Sequence, residues 1–248
     1  MPNWTMAALP LMLVMTVTAC GAEMTGESKD GKRTVDAGPT KSQGFDLTGF
    51  TGVKVTGPDD VAIERGETFS IVARGPQAVI DELEIELDGD MLSIGRKESM
   101  LRFSGDEAVK VTVVMPTLRA VRLTGSGAID ADAVEGDAVE AVVTGSGDLK
   151  IAAMNGKRAE LRITGSGDLE VGGGTIGAGN YDVTGSGSID ADDLAAKTLD
   201  VSIAGSGDID AQASESADIS ILGSGDATIG GGAKCSTRSL GSGDAICK

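Results

Sequence analysis

The tripeptide Gly-Ser-Gly recurs seven times, at 125–127, 145–147, 165–167, 185–187, 205–207, 223–225 and 241–243, in steps of 20, 20, 20, 20, 18 and 18 residues. Near-constant spacing of this size marks a chain that stacks one structural unit on the next, each burying its apolar side against its neighbours. Aligned on the motif, the residue two before the first glycine reads Leu123, Val143, Ile163, Val183, Ile203, Ile221, Ser239. Two residues earlier stand Val121, Ala141, Leu161, Tyr181, Val201, Ile219 and Thr237. Two residues after the motif come Ile129, Leu149, Leu169, Ile189, Ile209, Ala227 and Ala245, followed on the same parity by Ala131, Ile151, Val171, Ala191, Ala211, Ile229 and Cys247. Each unit is therefore a period-2 strand, a tight turn and a second period-2 strand with the same inward parity. Equivalent strands stacked ~4.8 Å apart bury these columns as ladders. The expected fold is all-β: a parallel β-helix (β-solenoid) with coils of about 20 residues, right-handed by the chirality rule for parallel crossovers. Glycine at both turn positions allows positive φ. The scarcity of aromatics (four Phe, one Tyr, one Trp) agrees with thin layers of Val, Ile, Leu and Ala.

Residues 119–248 hold the repeats, and 45–118 read as a β-rich N-terminal part. There Val53–Val55, Val61–Glu64, Phe69–Ala73 and Val109–Met115 have the alternation or apolar clustering of strands, with Gly57-Pro58-Asp59-Asp60 and Arg65-Gly66-Glu67 as turns. Glu84–Leu87 and Met91–Ile94 flank Asp88-Gly89-Asp90, a hairpin signal. Pro76–Leu83 is the one helix expected, with proline in its first turn. Such an atypical opening is expected to cap the first coil, because a stack otherwise ends in exposed apolar faces and unpaired edges.

The chain opens with Met6–Ala19, 14 uncharged residues rich in apolar side chains, too short to span a bilayer comfortably and suited to an export signal at 1–19. The stretch Val17-Thr18-Ala19-Cys20 resembles the bacterial lipobox, which implies lipidation of Cys20. The alternative is ordinary cleavage after Ala19 with Cys20 incidental. With Gly21, and no Asp, after the cysteine, the lipobox reading points to the outer membrane of a Gram-negative envelope. Residues 20–44 are polar and lack apolar periodicity, as a flexible tether would.

The opening Phe50-Thr51-Gly52-Val53-Lys54-Val55-Thr56-Gly57-Pro58-Asp59-Asp60-Val61, the hairpin Asp88-Gly89-Asp90-Met91-Leu92-Ser93-Ile94 and the Gly-Ser-Gly-Asp coils together resemble the head GIN domain family of autotransporter adhesins. The resemblance covers roughly 45–248, implies a β-helical fold and an adhesive surface role, and brings no catalytic residues. No translocator barrel follows the coils, so the expected anchor is the lipid on Cys20.

Histidine is absent, which excludes His triads and His metal sites. With Cys20 assigned to the signal, Cys235 and Cys247 remain, 12 positions apart in the last coils, as a disulfide candidate; free thiols and a metal pair are the alternatives. Asp follows the motif at Asp148, Asp168, Asp208, Asp226 and Asp244, interrupted by Ala128 and Ser188. Carboxylates stacked ~4.8 Å apart repel one another, which a calcium ion would relieve; a solvated aspartate stabilising its turn is the plainer account. The Asp here directly follows the second glycine, unlike in the calcium-binding nonapeptide β-helix, so that ligand geometry does not transfer. The outward Asp130, Asp132, Asp190, Asp192 and Asp210 read as a solvated face. Paired carboxylates suit a polysaccharide-active hydrolase, but the coils offer only Tyr181 as a sugar-stacking platform. Gly172–Gly174 and Gly177–Gly179 lack the lysine of a phosphate-binding loop. The net charge of −17 repels phosphate backbones, so nucleic acid is not an expected partner. The expected function is a non-enzymatic, exported cell-envelope protein without a cofactor, an adhesin or interaction module meeting a surface, matrix or envelope ligand and touching the membrane only through its lipid. A structural or calcium-binding envelope lipoprotein is the second reading and an Asp-based polysaccharide enzyme the third.

Overall fold

The structure is a computed structural model that describes residues 33–35, 39–97, 101–103 and 109–248. The export segment, Cys20 and most of the tether lie outside the described residues. From Ala120 onward the chain forms the expected parallel β-solenoid. Ala120–Gly125 pairs with Glu140–Gly145, which pairs with Glu160–Gly165, and the same register continues through Asn180–Gly185, Asp200–Gly205, Asp218–Gly223 and Ser236–Gly241. Every Gly-Ser-Gly therefore lies over the one before it. The backbone N–H of Ser186 donates to Gly165 O at 2.8 Å, and that of Ser206 to Gly185 O at 2.8 Å, so the corners themselves are bonded coil to coil.

Each coil has three faces, one more than the sequence pattern reveals. The first face is the strand entering the motif, the second the strand leaving it. A third short segment runs Ala133–Gly136, stacked on Ala153–Gly156. It buries a column of its own (Val134, Met154, Leu194), and the last corner buries Val139, Ala159, Leu199 and Ala217. Period-2 counting misses both because parity resets at each corner. The two-residue shortening of the later coils is absorbed at two register shifts, between Ala191 and Ala195 and between Ala196 and Thr198, leaving the motif corners aligned.

The stack also extends into the N-terminal part. Gly52–Gly57 pairs in parallel with Ala120–Gly125, and Val61–Ile63 with Ile129–Ala131. Gly57-Pro58-Asp59 is thus a coil corner in which proline and aspartate replace serine and the second glycine. Beneath this coil, Met91–Ile94 runs parallel to Gly52–Val55 and Lys110–Met115 parallel to Asp60–Arg65. Antiparallel strands finish the cap: Leu83–Asp88 on Met91–Arg96, Ser70–Arg74 on Lys110–Val114, and Thr40–Phe45 on Ile71–Pro76. The helix is a single turn, Gln77–Ile80, shorter than the expected Pro76–Leu83. Its Val79 and Ile80 close the end of the core, and Leu83 is already the buried first residue of the hairpin that the Asp88-Gly89-Asp90 signal specifies.

Tyr181 is the one tyrosine of the chain and lies wholly inside the stack. A side chain at Gly179 would collide with Leu199, Ile176 and the Tyr181 ring, so the glycine makes the space the ring fills. Among the described residues the ring's hydroxyl has no hydrogen-bond partner. Burial pushes its ionisation well above the ordinary value of 10.0. The folded protein then holds the phenol proton where the unfolded chain has lost it, so stability falls by about 1.4 kcal/mol per pH unit above pH 10. Tyrosinate absorbance is expected to stay absent at pH 11 and to appear together with unfolding. Tyr181→Phe, which removes an unpaired buried group, is expected to raise stability by about 1 kcal/mol and abolish this pH dependence. Chemical denaturation at pH 8 and 11 checks both.

Candidate functional site

Three of the five aspartates that follow the motif are bonded to the backbone one coil on. Asp168 Oδ1 accepts the backbone N–H of Ser188 at 3.1 Å, Asp208 Oδ1 that of Asp226 at 2.9 Å, and Asp226 Oδ1 that of Asp244 at 2.8 Å. Each carboxylate reaches to the equivalent position one coil on and satisfies the donor that the turn leaves open. The column therefore works as a brace between corners. Among the described residues no cluster of three or more His, Cys, Asp or Glu is placed to hold a metal. Asp132, on the outward face, accepts the backbone N–H of Arg65 at 3.1 Å, tying the first coils together.

Cys235 and Cys247 are bonded, with Cα atoms 6.6 Å apart. They sit on the first and second faces of the last described coil, where the inward columns turn polar (Thr237, Ser239). The cross-link covers the end of the core with sulfur, and Ser239 Oγ donates to Gly243 O at 2.9 Å. Cys247→Ser is expected to cost about 3 kcal/mol through the 12-residue loop it frees. The loss should be confined to the last coil, seen as faster amide exchange from 234 to 248 with slow exchange retained at 120–205.

The first face carries a concave surface. Ala120, Ala138, Ala159, Ala178 and Gly179 are too small to fill the corner between coils, which leaves a groove of about 450 Å³ crossing the stack. Arg119, Arg158, Glu140, Glu160, Asn180 and Asp200 supply its charged and polar lining. A second hollow of about 320 Å³ continues from Asn180 and Asp200 past Ser202, Asp218 and Ser220 to Arg238. The outward residues are laced along the stack. Arg122 donates twice to Glu140, at 2.7 and 2.8 Å, and this raises the guanidinium's ionisation further. Arg162 spans Glu160 at 2.8 Å and Asp182 at 3.4 Å. These exposed pairs fix side-chain positions more than they add stability. The result is a long strip of charged and small side chains along the stack. Sequence reasoning missed it because the signal, small residues recurring at the third corner, is legible only once that corner is known.

The family described as "Putative auto-transporter adhesin, head GIN domain" matches residues 49–233. No curated relative matches the chain. Among solved structures, a "putative adhesin" from Bacteroides fragilis is similar at 19% identity and TM-score 0.72, covering 84% of this chain and 97% of that one. A second "putative adhesin", from Parabacteroides merdae, is similar at 20% identity and TM-score 0.70, covering 87% and 99%. A protein from Parabacteroides distasonis titled "Putative lipid binding protein" is similar at 22% identity and TM-score 0.67, covering 87% and 99%. At these identities the likeness is one of fold, while the family match spans most of the chain. The chain belongs to the head GIN domain family of adhesin heads.

Proposed function

We propose that the protein is a non-enzymatic interaction module of the cell envelope, held by a lipid on Cys20 and presenting its first face to a surface or matrix ligand. The observation that carries this reading is the form of that face: successive strands in one register set Arg119, Arg158, Glu140, Glu160 and Asp200 along a shallow groove. Such a strip suits an extended partner laid across the stack, since its backbone is already ordered by coil-to-coil pairing and its Glu140 and Glu160 are held by Arg122 and Arg162. Family membership supports the same reading. The test is antibody labelling of intact cells against lysed cells, followed by binding of the protein to cells or matrix with Arg119→Glu/Arg158→Glu as comparison. Labelling of intact cells and binding that the double variant weakens would support it. Labelling only after lysis would sink it in favour of a structural role inside the envelope.

A further inference from the structure

The two ends of the first face carry opposite charge on open strand edges. At the N-terminal end the last strand is Leu83–Asp88 (LEIELD), paired on one side to Met91–Arg96 and, among the described residues, unpaired on the other. Its outward row is Glu84, Glu86 and Asp88. Its inward row ends in Leu87, 39% exposed, with no strand stacked beyond it among the described residues. At the C-terminal end the last strand is Lys234–Gly241 (KCSTRSLG), paired to Ser216–Gly223 and, among the described residues, unpaired on its outer edge. Its outward row carries Lys234, Arg238 and Leu240, with no acid. Leu240 and its neighbour one coil back, Leu222, are 73% and 60% exposed. None of Glu84, Glu86, Asp88, Lys234 and Arg238 is in an ion pair among the described residues.

We infer that these edges bind each other between copies, so that the protein associates head to tail by strand addition, the occupant of each open edge being a second copy of this chain. Strand direction, register and charge all favour this pairing. Within one molecule Leu83–Asp88 runs antiparallel to Met91–Arg96, which is parallel to every first-face strand including Lys234–Gly241. A copy shifted along the stack axis therefore brings the two edges together antiparallel. With inward residues kept inward, Thr237 opposite Ile85 sets Lys234 opposite Asp88 and Arg238 opposite Glu84 on one outward face. Opposite charges directly across a strand pair are favourable and like charges are not. Head-to-head pairing would face acid with acid and tail-to-tail base with base, so the edge charges select the head-to-tail arrangement. The interface also covers Leu87, and because it is heterologous it does not close on itself, so copies continue the stack.

The test is sedimentation velocity of the purified full chain in dilute detergent at rising protein concentration, at low and high salt. The expected result is concentration-dependent association that salt weakens. Lys234→Glu/Arg238→Glu makes both ends acidic and Glu84→Lys/Asp88→Lys makes both ends basic. Each double variant alone should associate about tenfold or more weakly. Mixing the two should restore association, because each then offers the other a complementary edge; a matched melting curve confirms that each is folded. Wild-type protein that stays monomeric at every concentration overturns the inference. So does association that persists in either double variant alone, which would place it on the export segment or another surface.

Discussion

Gly185→Ala will destabilise the solenoid by about 3–5 kcal/mol, the sum of a strained backbone and an overpacked corner. Gly185 opens the fourth Gly-Ser-Gly with φ at +127°, a conformation that L side chains rarely adopt. The added methyl would also press into the carbonyl of Gly165, the same oxygen that accepts the Ser186 N–H at 2.8 Å. Moving away from that oxygen breaks the coil-to-coil bond, so strain and lost pairing cannot both be avoided. Ser186→Ala, one residue along, is exposed and should change stability by less than about 0.5 kcal/mol. Urea denaturation of the two variants checks the contrast, which separates what the motif needs for packing from what is surface.

Asp59→Ala is the second large effect, with an expected loss of about 3–5 kcal/mol. Asp59 is only 2% exposed. It takes a two-pronged bond from Arg96, whose Nε lies at 2.8 Å, and accepts the backbone N–H of Val109 at 2.9 Å. The paired carboxylate raises the ionisation of Arg96, mainly through that hydrogen bond, so the guanidinium stays charged beside the core. Truncation takes the Asp59 carboxylate away from Arg96 and leaves the buried Val109 N–H without its acceptor, whereas Asp59→Asn keeps one acceptor oxygen and should lose roughly half as much. Because the residue joins the first corner to both parts of the cap, the loss should appear in the unfolding of the whole stack.

The solenoid itself was legible from the sequence. Seven motifs at near-constant spacing, with Leu123, Val143, Ile163, Val183, Ile203 and Ile221 at one offset, specify strands that stack in register, because only that register buries every member of the column. The hairpin around Asp88-Gly89-Asp90 was legible for a similar local reason: a turn signal between two alternating runs. The helix was overread, since Pro76–Leu83 has a helical opening but Leu83 buries more as the first residue of a strand.

The third face was not legible. Val134, Met154 and Leu194 recur at the period of the repeat, yet their parity depends on how sharply the chain bends at the preceding corner, which local pattern does not encode. The groove beside that corner was hidden with it. Asp59 shows the same limit at one residue. By sequence Gly57-Pro58-Asp59 is a turn of its own; in three dimensions it is the first corner of the stack. A side chain is tolerated at the position of the second glycine there because no corner lies beneath it, and Arg96 comes instead from the cap. The roles of the Asp column and of the two open edges were likewise decided only by the tertiary structure. Whether a carboxylate meets an ion, a neighbour's N–H or solvent depends on which atoms the stacking brings within about 3 Å. The sequence by itself determined the repeating inward columns, since burial of apolar side chains follows from their spacing along the chain. What the outward residues face was settled by contacts between positions about 20 or more apart, as from Asp168 to Ser188, which only the folded stack creates.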